Sequence, residues 1–230
     1  MAQASYIERR SQIETYFDRT ASQAWARLTS DAPVGRIRAS VRAGRERMRG
    51  TLLSWLPRDL SGSRLLDAGC GTGALAVEAA RRGADVVAID LSPTLVHLAR
   101  ERLPAGLRVD YRAGDMLDPA LGRFDFIVGM DSLIHYRTDD AVRVLSGLAQ
   151  RANQSILFTF APSSPALIVF RAVGRLFPRD NRAPWIEPVA EKQLHRLLAR
   201  DALLGTWHRG RTQRIASGFY TSQALELQKK

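Results

Sequence analysis

Between Arg64 and Ala161 the chain alternates short apolar runs with amphipathic stretches at a regular pitch. The runs at 64–69, 85–90, 107–112, 124–130 and 155–161 have strand length, whereas 73–82, 93–103 and 138–152 carry helical periodicity. Strand and helix alternating at this pitch predict a parallel sheet with helices on both faces. The segment Met116 to Leu121 is weak for a helix and reads as a turn at most. A further helix is predicted over Glu187 to Arg200, followed by two strands, Leu204 to Arg214 and Gly218 to Gln228.

Helical patterns flank this core. Over residues 5–30, Ile13, Tyr16 and Phe17 share a face that Trp25 and Leu28 repeat. After the break at Asp31 to Pro33, Ile37 to Trp55 reads as a second helix. Arg38, Arg42, Arg45 and Arg49 fall on one stripe of it, for which a solvated face is the commoner meaning and anion recognition the sharper one. Ser163 to Arg182 forms another basic amphipathic segment, with Ala166, Phe170, Val173 and Phe177 on one face and Arg171, Arg175 and Arg179 on another. It suits a substrate lid, a membrane-surface helix or an ordinary packed helix. The lid is preferred, because the segment follows the fifth strand and so lies over the sheet edge where ligands bind. The expected organisation is a helical cap over 1–60 and a core over 61–230 that carries the lid insertion at about 163–185.

Charge sharpens this division. The net charge of +11 is split as +5 in residues 1–63, −1 in 64–161 and +7 in 162–230. The excess lies wholly outside the alternating core, which points to an anionic substrate or surface met by the flanking segments. Against that, 31 of the 34 basic residues are arginine, a bias that genomic base composition also produces. One cysteine, Cys70, excludes a disulfide framework, and no run approaches the roughly 20 apolar residues of a membrane span. The expectation is a cytoplasmic protein, at most peripheral to a membrane.

The chemistry is concentrated at Leu65 to Ala76, L-L-D-A-G-C-G-T-G-A-L-A. A strand running through a glycine turn into a helix is the nucleotide cradle of doubly wound folds. The spacing Gly69, Gly71, Ala74 also satisfies the dinucleotide fingerprint, so the glycines alone do not choose the nucleotide. Asp67 does. A carboxylate there repels a pyrophosphate and suits a ligand bearing an ammonium and a sulfonium, which S-adenosylmethionine (SAM) carries. Asp90 ends the second strand, where ribose hydroxyls are held, and Asp115 follows the third. The competing reading, ordinary turn aspartates, does not explain three acids at successive strand ends.

D-x-G-x-G-x-G resembles the motif of the class I SAM-dependent methyltransferases, which implies a Rossmann-like fold: a seven-stranded, mostly parallel sheet closed by an antiparallel pair. Other segments are more specific: Tyr16-Phe-Asp-Arg-Thr20, Trp25-Ala-Arg-Leu-Thr29, Val41-Arg-Ala-Gly-Arg45, Met130-Asp-Ser-Leu-Ile-His-Tyr136, Phe160-Ala-Pro162, Leu176-Phe-Pro-Arg-Asp-Asn-Arg182 and Gly218-Phe-Tyr220. From Ser11 to Leu227 the chain resembles the magnesium-protoporphyrin IX O-methyltransferases of (bacterio)chlorophyll biosynthesis in photosynthetic organisms, most closely their purple-bacterial form. The resemblance implies methyl transfer from SAM to one propionate of Mg-protoporphyrin IX, giving the monomethyl ester. It also implies substrate receipt from the magnesium chelatase H subunit beside a membrane. Magnesium arrives within the porphyrin, so no protein-bound metal is expected.

By this resemblance the cofactor set is Asp67, Gly69, Cys70, Gly71, Asp90, Leu91, Asp115, Met116 and Met130. His135, after the fourth strand, is the candidate catalytic residue; it orients the propionate, approaches the magnesium, or is a structural histidine. Magnesium's preference for oxygen ligands counts against the second role. Tyr16, Trp25, Thr29, Tyr136, Arg171 and Phe177 are the candidate substrate contacts. Other family branches carry a tyrosine near the cap where this chain has Thr29, so that residue's task is lost or reassigned to Tyr16 or Tyr136. His97, His195 and His208 read as structural or exposed. Two rivals stand beside this reading: a methyltransferase for another acidic or quinone-like small molecule, and a non-catalytic basic SAM-binding protein. The position after the fourth strand reads M-D-S-L and lacks a base-gripping N-P-P-Y motif, so no specific nucleic acid is expected.

Overall fold

The computed structural model describes residues 2–20, 25, 27–30, 33, 35–163 and 186–230. The greater part of the expected lid, with Arg171 and Phe177, lies outside the described residues. Seven strands form one sheet in the order β3-β2-β1-β4-β5-β7-β6. They are β1 (Arg64–Ala68), β2 (Asp85–Asp90), β3 (Asp110–Ala113), β4 (Phe124–Gly129), β5 (Ala152–Phe160), β6 (His208–Ser217) and β7 (Tyr220–Gln228). The first five run parallel. β7 runs antiparallel to β5, and β6 antiparallel to β7. This is the Rossmann-like architecture that the motif resemblance implied, its parallel part being what the alternation predicted, with strand order reversing between β1 and β4. Ligands of such sheets bind in the crevice that this reversal opens at the carboxyl ends.

Six α-helices are described: α1 (Ala2–Thr15), α2 (Arg36–Trp55), α3 (Ala74–Arg81), α4 (Pro93–Glu101), α5 (Thr138–Ala149) and α6 (Glu191–Arg200). Strands β1, β2, β4, β5 and β7 are apolar on both sides and divide their side chains between two clusters, whereas the edge strand β6 is largely exposed. Leu66, Val87, Ile89, Ile127, Ile156, Phe158 and Leu225 enter one, together with residues of α5 and α6. Leu65, Val86, Ala88, Phe126, Val128, Leu157 and Ala224 enter the other, with residues of α2, α3 and α4. Period-2 alternation into two cores is what a sheet buried on both faces requires.

Several boundaries differ from expectation. β3 begins at Asp110 rather than 107, because pairing with β2 starts at Val87 opposite Asp110. β6 begins at His208, since Leu204–Thr206 is a short 3-10 turn with Leu204 buried in the core. Met116 to Leu121 contains only the 3-10 turn Pro119–Leu121, capped by the Asp118 side chain at the Ala120 amide. Residues 5–30 are not one continuous helix. α1 ends at Thr15 and passes into a π-helical turn, Tyr16–Thr20. There Asp18 accepts hydrogen bonds from the Ser92 hydroxyl and the Thr94 amide, each at 3.1 Å. The turn thereby supplies an acceptor to an amide in the first turn of α4, where helical donors lack internal partners.

Candidate functional site

The glycine turn leaves β1 at Ala68 and enters α3 at Ala74. Gly69 and Cys70 donate their amides to the Ile89 carbonyl at 2.8 and 3.0 Å, fastening the turn to β2. Gly69 has φ +89°, and a Cβ there would lie 2.4 Å from the Ser132 Cβ, so this position needs glycine twice over. Asp90 completes the cradle. Its Oδ2 accepts the Gly71 amide at 2.8 Å and its Oδ1 the Ser92 amide at 3.0 Å.

Asp67 is 2% exposed and accepts a hydrogen bond from the Ala76 amide in the first turn of α3. Gly73 offers that helix no side-chain cap, so Asp67 takes over part of the task. Its Oδ2 has no hydrogen-bond partner among the described residues. Burial, then the neighbouring Asp90 charge, push its pKa up to about 7. Asp90 is itself shifted upward, by burial first. A buried carboxylate with one orphaned oxygen, beside a second that is half-buried, constitutes a site that a cation stabilises. The cradle therefore fits the ammonium-bearing end of SAM.

Burial, with Asp90 and Asp67 nearby, drives the Cys70 thiol well above its ordinary pKa, which makes it a packed thiol rather than a nucleophile. Met116 is buried in the α5 and α6 core, Leu91 packs against that core, and Met130 packs against the opposite one. Among the described residues no group of three His, Cys, Asp or Glu is placed to hold a metal.

Asp115 is claimed by the amino-terminal helix. Tyr6 donates its hydroxyl to Oδ1 at 2.8 Å, as the Leu117 amide does at 2.9 Å, and Arg10 pairs with Oδ2 at 2.7 Å. Burial, then Tyr136 and the Asp115 hydrogen bond, hold the Tyr6 hydroxyl protonated. Arg9 pairs with Glu187, and Ser5 donates to Asp140. α1 thus lies across the carboxyl end of the sheet on polar contacts that its sequence pattern did not disclose.

His135 closes a 3-10 turn, Leu133–His135, and is 8% exposed. Its ring meets Phe17 edge-on at 5.7 Å, and Phe17 meets both Trp25 (5.4 Å) and Tyr16 (5.3 Å). The Trp25 Nε1 lies 3.4 Å from the place of a Cβ on Gly71, so the indole sits on the glycine turn. His135, Phe17, Trp25 and the glycine turn therefore form one contiguous patch. Tyr136 belongs elsewhere: it is 2% exposed and stacked on Tyr6 at 5.3 Å. Thr29 donates to the Trp25 carbonyl at 2.8 Å and accepts from Arg102 at 3.0 Å, securing the end of the Trp25 turn. His97 lies on α4, His195 on α6 and His208 on β6.

The arginine stripe is not a uniform solvated face. Arg38 is exposed. Arg42 donates to the carbonyls of Leu28 and Arg27, each at 2.9 Å. Arg45 pairs with buried Asp131 at 2.6 Å, and Arg49 pairs with Glu46. Helical spacing shows which residues share a face but not what that face meets. Asp131, missed as a site residue, carries the only positive φ among the described non-glycine residues, +53°. Its sequence signals are its place just after β4 and its membership of the Met130–Tyr136 segment.

A family profile described as "Magnesium-protoporphyrin IX methyltransferase C-terminus" matches residues 129–229, and one described as "Methyltransferase domain" matches 65–154. Magnesium-protoporphyrin O-methyltransferase of Rhodobacter capsulatus is 51% identical, covering 97% of this chain and 98% of the relative. Crystal structures of magnesium protoporphyrin IX methyltransferase from Synechocystis PCC 6803 with bound SAH and with bound SAM superpose at TM-scores of 0.83 and 0.80. They are 28% and 25% identical to this chain and cover 96% of it, spanning 99% and 97% of the Synechocystis chains. A ubiquinone biosynthesis O-methyltransferase from Xanthomonas euvesicatoria is 39% identical, over 54% of this chain and 55% of its own.

Proposed function

The chain belongs to the magnesium-protoporphyrin O-methyltransferase family, and from that membership we propose that it transfers the methyl group of SAM to a propionate carboxylate of Mg-protoporphyrin IX, giving the monomethyl ester. The observation that carries the proposal is the 51% identity over 97% of the chain, which includes the amino-terminal helices as well as the cradle. Likeness to the quinone-type methyltransferase stops at about half of the chain.

The cofactor set follows the cradle: Asp67 faces the ammonium, Gly69 and Gly71 give backbone approach, Asp90 takes the ribose and Asp115 the adenine. Bound SAM supplies a methyl group on a positively charged sulfur. A propionate resembles a glutamate of pKa about 4.3 and is already ionised at neutral pH. A carboxylate oxygen forms the new bond to the methyl carbon as the carbon–sulfur bond breaks, and no proton has to move. The protein's work is positioning and exclusion of water, because two opposite charges vanish in the step. His135, on the patch with Phe17 and Trp25, orients the substrate. Tyr16 joins that patch, whereas the Tyr136 ring is already covered by Tyr6.

The proposal includes the division into a cap over 1–60 and a core over 61–230 with its lid. It also includes receipt of porphyrin from the chelatase H subunit and peripheral attachment to a photosynthetic membrane from the cytoplasmic side. Ile37 and Phe219, 58% and 63% exposed, support the attachment. They sit at the start of α2 and the tip of the β6–β7 hairpin, which meet at Ser40 and Gly218. Incubation with labelled SAM and Mg-protoporphyrin, beside a panel of other carboxylates and quinols, tests the activity. Labelled monomethyl ester is expected. Label in another acceptor would favour the quinone-type reading, and SAM binding without any product would leave a binding protein.

A further inference from the structure

We infer that Asp131 and Arg45 are positioning residues that act through Trp25, holding its indole on the cofactor turn. Asp131 lies two residues beyond β4, in the left-handed region that aspartate tolerates better than most side chains. This turn aims its carboxylate back into the fold, where it is 4% exposed. Its amide donates to the Thr159 hydroxyl on β5 at 2.7 Å. Its carboxylate accepts from the Tyr220 hydroxyl (3.1 Å), the Ser222 hydroxyl (3.1 Å) and the Thr159 hydroxyl (3.2 Å). Burial, then the Asp131 charge, raises the Tyr220 pKa and keeps that donor protonated. The sheet thus fixes the carboxylate from three directions before the cap contributes anything.

The fourth direction is Arg45, from α2. Its Nη1 pairs with Asp131 Oδ2 at 2.6 Å, and its guanidinium carbon lies 4.6 Å from the centre of the Trp25 ring. A guanidinium is planar and always charged, so it can bind a carboxylate at one edge while stacking on an aromatic face. Trp25 in turn sits on Gly71 and meets Phe17, which meets His135. Asp131 and His135 belong to the same loop after β4. The route Asp131–Arg45–Trp25–Phe17–His135 therefore leaves that loop, crosses the cap and returns to it beside the cofactor turn. A truncated partner in such a buried pair leaves an uncompensated charge, so the network transmits rather than absorbs a change.

The inference deepens the proposed function for turnover, but its affinity arm needs only cofactor binding, so the two fail separately. The dissociation constant of SAH is measured by calorimetry for the full chain, Asp131→Asn, Trp25→Ala and the double variant. Asp131→Asn and Trp25→Ala are each expected to weaken SAH about tenfold, within the range for residues coupled in one network. The double variant is expected to match either single variant within about twofold, because Asp131 has nothing left to position once the indole is gone. Arg45→Met removes the same ion pair from the cap side and serves if Asp131→Asn does not fold. Arg45→Lys keeps a charge for Asp131 but loses the stacking plane, and is expected to behave like Arg45→Met. Multiplicative losses in the double variant, or full rescue by Arg45→Lys, would make the pair a structural fastening and overturn the inference. Unchanged SAH affinity in Asp131→Asn would overturn it equally.

Discussion

Arg10 and Asp115, 105 residues apart in the chain, pair at 2.7 Å, and the same carboxylate accepts the Tyr6 hydroxyl at 2.8 Å. The acid just after β3, at the carboxyl edge of the sheet, is therefore held by the helix that lies across that edge. Docking of α1 and use of Asp115 by a ligand are consequently linked.

Arg10→Ala is expected to loosen α1 without unfolding the sheet. The pair is partly exposed, at 33% and 21%, so its loss is worth roughly 0.5–1 kcal/mol after solvent screening. Hydrogen exchange over residues 2–15 should quicken about two- to fivefold, while exchange in β1 and β4 stays unchanged. Raising salt should move the wild type toward the variant. Equal protection of α1 in both proteins would show that its apolar contacts suffice.

Asp67 should make the ligand-free protein less stable as pH rises. Its folded-state pKa, about 7, stands above the unfolded reference of about 3.9, so the folded protein retains a proton that the unfolded chain has lost. The associated stability is complete below pH ~4 and is lost progressively as pH climbs through 7. Asp67→Asn should remove that dependence, gaining on the wild type in melting temperature between pH 5 and 8. The same variant should bind SAM more weakly by roughly 1.5–3 kcal/mol, as for loss of a contact to a charged group. A variant with the wild-type pH profile would move the titrating group elsewhere.

Gly44→Ala should destabilise the protein although alanine is the better helix former. A Cβ at Gly44 would lie 2.4 Å from Cδ1 and 2.8 Å from Cβ of Tyr220. Alanine's propensity advantage is about 1 kcal/mol, whereas overpacking costs about 1–3 kcal/mol and here displaces the ring that donates to Asp131. Urea unfolding is expected to give a net loss of up to about 2 kcal/mol; a gain would show that Tyr220 relaxes freely.

His135→Phe should lower turnover about tenfold or more while leaving SAM affinity within about twofold, since the histidine meets the cap at Phe17. Separate measurement of kcat and of SAM binding checks this. A matched fall in SAM affinity would make His135 part of the cofactor site instead.

The strand–helix alternation, the glycine turn and the strand-end acids were legible because they depend on local rules: period-2 and period-3.6 patterning, positive-φ glycines and short reach along one strand. Asp67, Asp90 and Asp115 do stand at the carboxyl edge. Cysteine and charge counts bounded the class of protein, and the charge split marked off the flanking segments. Tertiary structure alone decided which charges meet. Arg45 reads as one quarter of a surface stripe, yet the return of β7 beside β5 brings Tyr220 and Ser222 around Asp131 and draws that arginine inward. Asp115 likewise looked like a cofactor acid, and only the path of α1 shows that Tyr6 and Arg10 hold it as well. The physical reason is range. Side-chain periodicity specifies a face over one or two turns, but the partner of a buried charge comes from wherever the chain returns, and sequence separation does not encode that meeting.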